Sequence, residues 1–219
     1  MIKNLIFDVD GTLWDSTSIV VKGWKRAAVE YGLPEEKITA DVLKKEFGQP
    51  MDVIGEHLFG SVADAKLREE ILEKCCIYEQ QLLEESTEDV SYPGMQKTLE
   101  ALAGKYRLFI VSNCQCGYIE LVVSKNKIAH LIEDYDCFGN TGVSKGETIA
   151  MVMERNKIKA GETIYIGDTM GDYKASVAAG IPFVYARYGF GEVPEATVGY
   201  DDFAELEPLL EQLDANGCK

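Results

Sequence analysis

Asp8 and Asp10 flank a single apolar residue at the end of the run Leu5-Ile6-Phe7, and Gly11-Thr12 follows at once. Strand alternation puts both carboxyls on one side, and glycine permits the tight turn that leaves the strand. Two carboxylates ~4 Å apart repel by about 4 kcal/mol at an effective dielectric of 20, so the pair calls for a cation or a shared proton. An ordinary Asp-Gly turn accounts for Asp10 and Gly11 but leaves Asp8 unexplained. A second acidic pair lies in Gly167-Asp168-Thr169-Met170-Gly171-Asp172, after another apolar run. Asp172 stands one helical turn beyond Asp168, so the two can face one point. A helix dipole would by itself favour Asp172, but together the four acids form a hard-oxygen set suited to Mg²⁺. Ser112-Asn113 ends a further apolar run and offers a hydroxyl and amide donors, as a phosphate cradle or as a plain helix cap. Lys145 opens a helical segment, where its charge opposes the macrodipole. Something other than the helix wants a cation there.

The elements that must bring these residues together are short apolar runs: Ile2 to Phe7, Arg107 to Val111, Thr163 to Ile166 and Pro182 to Tyr185, with a weaker one from Tyr135 to Phe138. They show little alternation, as strands buried on both faces do. Helical segments separate them, after Pro93-Gly94, from Lys145 to Met153 and from Tyr173 to Ala179. The reading is an α/β, doubly wound Rossmann-like parallel sheet, in which ligands gather outside the carboxyl ends of the strands. Asp8, Asp10, Ser112, Asn113, Asp168 and Asp172 all fall there.

One interval breaks the alternation. Between Ser16 and Glu88 the apolar residues keep helical spacing, as in Val20, Val21, Trp24, Ala27, Ala28 and Tyr31 and again in Leu67, Ile71, Leu72, Cys75 and Tyr78. A sheet crossover seldom needs so long a helical stretch. Residues 16–88 therefore read as an inserted helical cap domain, and 1–15 with 89–219 as the catalytic core. Leu33-Pro34 reads as a turn and the acidic stretch Glu84 to Asp89 as the exit linker.

Across 219 residues, 22 Lys and Arg against 37 Asp and Glu give a net charge of −15. That balance argues against a nucleic-acid backbone or an anionic membrane as partner, and leaves room for a small anionic substrate met by a local cation. No apolar run approaches the ~18 residues of a membrane span. Asp8 and Asp10 interrupt the stretch a secretory leader would keep apolar, so a cytoplasmic protein is expected. The six cysteines, Cys75, Cys76, Cys114, Cys116, Cys137 and Cys218, form no CxxC pair and are expected as reduced thiols, Cys114-Gln115-Cys116 among them.

Taken in order and spacing, Asp8-x-Asp10-Gly11-Thr12-Leu13, Ser112-Asn113, Lys145 and Gly167-Asp168-x-x-x-Asp172 resemble the four motifs of the haloacid dehalogenase superfamily, over nearly the whole chain. The helical insert after the first motif resembles that family's small cap, of the type seen in phosphoglycolate phosphatases, pyrophosphatases and β-phosphoglucomutases. Gly146 stands where many phosphoglycolate phosphatases have proline. The resemblance implies a Mg²⁺-dependent phosphatase of a small phosphorylated metabolite. Asp8 would be the nucleophile that forms an aspartyl-phosphate, Asp10 the general acid and base, and Ser112 and Lys145 further catalytic groups. Gly11, Thr12, Ser112, Asn113 and Lys145 would bind phosphate. The metal would be held by Asp8, the Asp10 backbone carbonyl and Asp168, with Asp172 behind them. Dehalogenases lack the second aspartate, so Asp10 favours a phosphate ester. β-Phosphoglucomutases carry a histidine where this chain has Val20, and the loop Phe47-Gly48-Gln49-Pro50 lacks their arginine. A phosphatase is thus preferred to a mutase or a pyrophosphatase. A receiver-like signalling module shares the site chemistry but has no helical insert. Gln49-Pro50, Lys22, Trp24 and Lys25 are candidate specificity residues, and Trp14-Asp15-Ser16 with Ser91-Tyr92-Pro93 are candidate hinges. Oligomeric state is left open.

Overall fold

The structure, a computed structural model that describes residues 1–215, starts with strand β1 (Asn4–Phe7) and then four helices, α1 (Thr17–Glu30), α2 (Ala40–Glu46), α3 (Met51–Phe59) and α4 (Ala65–Glu85). There follow α5 (Met95–Ala103), β2 (Arg107–Ser112), α6 (Tyr118–Lys125), β3 (Ile132–Cys137), α7 (Phe138–Thr141) and α8 (Lys145–Arg155). The chain then forms β4 (Thr163–Gly167), α9 (Met170–Ala179), β5 (Phe183–Ala186), β6 (Gly199–Tyr200) and α10 (Phe203–Ala215).

The six strands pair in parallel in the order β3-β2-β1-β4-β5-β6. Because β1 lies between β2 and β4, the chain winds outward from it in both directions, and the crevice at its carboxyl end is the switch point of the sheet. β1 and β4 are buried along their whole length. Their residues alternate between two cores: Leu5 and Phe7 pack on one face, Ile6 and Tyr165 on the other against Ile149 and Val152 of α8. Burying one such side chain contributes about 1.5–3 kcal/mol, which fixes the register and hence where Asp8 emerges.

Several boundaries differ from expectation. β1 begins at Asn4, two residues later than the apolar run does. β3 starts at Ile132 and ends at Cys137, with Phe138 opening α7. Its Asp134 and Asp136 hide the strand from an apolar-run search, and both are paired with Arg155. α9 starts at Met170 rather than Tyr173, since Thr169 caps it, and α4 continues to Glu85, into the acidic stretch. α6, β6 and α10 had no counterpart in the sequence reading.

The two segments that bracket the four helices lie side by side. The Asp15 amide donates to the Val90 carbonyl at 2.8 Å and the Tyr92 amide to the Leu13 carbonyl at 3.1 Å. Asp15 also holds Lys44 of α2 at 2.6 Å. Five cysteines are free thiols; Cys218 lies outside the described residues. No helix among the described residues is long and apolar enough to cross a membrane.

Candidate active site

β1 delivers Asp8 and β4 delivers Asp168 at adjacent carboxyl ends, as the parallel register of Phe7 on Ile166 requires. The turn between Val9 and Trp14 is closed by its own amides: Gly11 donates to the Trp14 carbonyl at 2.9 Å and Thr12 to the Val9 carbonyl at 3.2 Å. Gly11 has φ +82°, and a Cβ there would stand 2.1 Å from Asp168 Oδ2. Only glycine fits that approach. The Thr12 hydroxyl donates to Asp168 Oδ1 at 3.0 Å. Gly11 and Thr12, expected to bind phosphate, thus build the turn and hold Asp168, and their amides and the Thr12 hydroxyl are already engaged.

Asp168 is buried and its second oxygen accepts the Phe190 amide at 2.7 Å. Asp172 is the third residue of α9 in a reciprocal cap with Thr169, and its Oδ2 accepts from the Asp168 amide at 3.2 Å and the Thr169 hydroxyl at 2.7 Å. It caps its helix and still turns Oδ1 to Lys145, 2.6 Å away.

Lys145, the first residue of α8, is buried and reaches Asp8 Oδ1 at 3.0 Å. Burial would lower its pKa, but the charges of Asp172 and Asp8 outweigh that and hold it above the usual lysine range. The helix that opposes a cation at its start is overruled by two carboxylates in front of it. Burial first, and then the Asp172 charge, push the Asp8 carboxyl up to about 6 against the pull of Lys145. Asp168 is raised well above the usual carboxylate range by burial and by the charges of Asp172 and Asp8.

Asp8, Asp168 and Asp172 each offer an oxygen within 4.8 Å of the others. One ammonium cannot balance three buried carboxyls at once, and burial together with their mutual repulsion raises Asp8 and Asp168. The charge deficit and the all-oxygen donor set fit a hard divalent cation such as Mg²⁺.

Asp10 points elsewhere. Its Oδ1 accepts from the Trp14 indole at 3.0 Å, the Ser16 hydroxyl at 3.0 Å and the Tyr118 hydroxyl at 2.8 Å. Among the described residues no hydrogen bond reaches Oδ2. Burial pushes the Asp10 carboxyl up to about 7, the Tyr118 hydrogen bond opposing it and the charges of Asp8 and Glu79 adding to it. Its carboxyl is thus not part of the cluster of three.

Asp8 and Asp10 open into a cavity whose wall includes Ser112, Asn113, Trp24, Gly48, Glu79 and Tyr118. Ser112 is buried at the end of β2, and five residues separate it from the start of α6. Ser112-Asn113 is therefore a strand end in the cavity wall and not a helix cap. Asn113 donates to the Gly48 carbonyl at 2.7 Å, which ties the core to the loop between α2 and α3. Of the candidate specificity residues, Gln49 and Trp24 line the cavity, while Pro50, Lys22 and Lys25 are not in its wall.

Glu79 and Tyr118 were missed. Glu79 is 4 % exposed on α4, with its Oε2 accepting the Trp24 indole at 2.6 Å and its Oε1 accepting the Gln115 amide at 2.9 Å. Gly23 makes this possible, since a Cβ there would lie 2.8 Å from the Glu79 amide. The bare backbone lets α1 and α4 cross closely enough to bury the acid beside Trp24.

The sequence profile of haloacid dehalogenase-like hydrolases matches residues 5–186. The chain is 27 % identical over 96 % of its length to a phosphoglycolate phosphatase of Vibrio parahaemolyticus, covering 95 % of that protein. It is 28 % identical to a phosphoglycolate phosphatase of Agrobacterium fabrum, over 97 % of this chain and 94 % of the relative. Its fold is similar to a predicted phosphoglycolate phosphatase from Haemophilus somnus, at TM-score 0.84 and 20 % identity, covering 95 % of this chain and 98 % of that one. A predicted phosphatase from Clostridium acetobutylicum matches at TM-score 0.81 and 22 % identity, over 97 % of this chain and all of that one.

Proposed function

The chain belongs to the haloacid dehalogenase-like hydrolases, and on that premise we propose that it is a cytoplasmic, Mg²⁺-dependent phosphatase, similar to phosphoglycolate phosphatases, which hydrolyses a small phosphate monoester through an aspartyl-phosphate on Asp8. The observation that carries this reading is the convergence of Asp8, Lys145, Asp168 and Asp172 at one sheet edge, with Asp10 set apart on a separate network. Residues 1–15 and 89–219 act as the catalytic core and 16–88 as the cap.

Asp8 is buried and clamped at Oδ1 by Lys145, which leaves its other oxygen to attack phosphorus and displace the alkoxide. Lys145 and the Ser112 side chain would face the phosphoryl oxygens, and the carboxyls of Asp8, Asp168 and Asp172 would hold the cation together with the Asp10 backbone carbonyl. Bound there, Mg²⁺ would supply Lewis-acid neutralisation of the phosphoryl charge. Asp10 carries its proton on Oδ2, the oxygen not occupied by Trp14, Ser16 and Tyr118. A carboxyl raised to about 7 is protonated enough near neutrality to give that proton to the leaving alkoxide, and then basic enough to take one from the water that opens the acyl phosphate.

The test is phosphate release from a panel of small phosphomonoesters with Mg²⁺ present and with EDTA. Hydrolysis that EDTA silences and Mg²⁺ restores supports the reading; a metal-independent rate contradicts it.

A further inference from the structure

The cavity wall beyond the phosphoryl site has an unusual charge pattern. Among the described residues it contains no lysine, arginine or histidine. The nearby cations are engaged: Lys145 binds Asp8 and Asp172, and Lys44 binds Asp15. What the wall does offer is acceptors. Glu79 is held from both sides by the Trp24 indole and the Gln115 amide, so its position is fixed while each oxygen keeps a free lone pair. Asn113 donates its amide nitrogen to the Gly48 carbonyl, which fixes its Oδ1 as an acceptor, and that oxygen is buried with no partner. A buried acceptor left unpaired is costly, and a bound ligand with a donor relieves it.

Resting on the phosphatase reading, we propose that the cavity selects phosphate monoesters whose alcohol carries hydrogen-bond donors and no negative charge, with Glu79 and Asn113 accepting from hydroxyl or ammonium groups of that alcohol. An alcohol bearing a carboxylate or a second phosphate would bring negative charge against the acceptor oxygens of Glu79 and Asn113, in a wall with no free cation to meet it. The substrate class therefore departs from phosphoglycolate, the ester named for the curated relatives.

The experiment compares kcat/KM for glycerol 1-phosphate, phosphoethanolamine, 2-phosphoglycolate and pyrophosphate, with p-nitrophenyl phosphate as reference, in the wild type and in Glu79→Gln. The wild type is expected to prefer glycerol 1-phosphate or phosphoethanolamine over 2-phosphoglycolate and pyrophosphate by at least about tenfold, the leading ester showing whether hydroxyl or ammonium is recognised. Glu79→Gln is expected to narrow that ratio by about tenfold, a change that a mere loss of folded enzyme cannot produce. Equal or better use of 2-phosphoglycolate by the wild type, with p-nitrophenyl phosphate hydrolysed, overturns the selectivity and leaves the phosphatase reading standing. An unchanged ratio in folded Glu79→Gln overturns it as well. Absence of hydrolysis across the whole panel overturns both.

Discussion

Asp10 and Glu79 face one cavity, and burial raises both to about 7. Their predicted consequences differ. In the proposed mechanism Asp10 gives its proton to the leaving group, so Asp10→Asn should lower kcat by about 10²–10⁴-fold for an alkyl phosphate. The loss should be much smaller for p-nitrophenyl phosphate, whose leaving group needs little protonation. Steady-state rates on both esters check this; equal losses would contradict it. Glu79 bears instead on stability. Its carboxyl binds a proton more tightly in the folded than in the unfolded chain, so the stability this provides is full below pH 4.5 and is lost as pH rises through about 7. The rise corresponds to about 3 kcal/mol at most. Urea unfolding of Glu79→Gln should show a shallower fall in stability across that window than the wild type; identical slopes would contradict it. The candidate site acids were readable from sequence because Asp8, Asp10 and Asp168 interrupt or end apolar runs where a structural acid has little reason to be. Glu79 was not, because it lies in a helix rich in Glu69, Glu70, Glu73, Glu84 and Glu85, and only packing against Trp24 separates it from solvated neighbours.

At the scale of elements, the cavity depends on the crossing of α1 and α4. Gly23→Ala places a methyl carbon 2.8 Å from the Glu79 amide nitrogen, and backbone cannot give way as a flexible side chain would. The helices must part. Overpacking of this kind costs about 1–3 kcal/mol, or roughly 2–4 °C of melting temperature per kcal/mol in a chain of this size. Calorimetry should find the lowered Tm, and an unchanged one would show that the helices slide freely. The central strands were legible because β1, β2 and β4 are apolar almost throughout. β3 was legible only in part, since Arg107 and Arg155 neutralise acidic residues that periodicity counts as solvated. β6 is two residues long, too short to leave a pattern, and α10 contains Pro208, which breaks the usual signature of a helix interior.

For the whole molecule, one sheet edge gathers residues from Asp8 to Asp172 while the inserted helices supply the opposite wall of the cavity. The order of motifs along the chain made that convergence legible; the shape of the cavity was not, because it arises from α1, α4 and the loop at Gly48 meeting β2 through contacts far apart in sequence, such as Asn113 to Gly48 and Gln115 to Glu79. The overall charge of −15 fits the proposal that the pocket receives phosphate through Lys145 and a divalent ion rather than through a basic surface. The most direct test of the account is the stereochemical course at phosphorus. Hydrolysis of a phosphorothioate monoester made chiral at phosphorus with oxygen-18, in oxygen-17 water, should proceed with net retention of configuration, because two in-line displacements, first by Asp8 and then by water, each invert the centre, and Asp8→Asn should not turn over. Net inversion would show that water attacks phosphorus directly, and the nucleophilic role of Asp8 would be wrong.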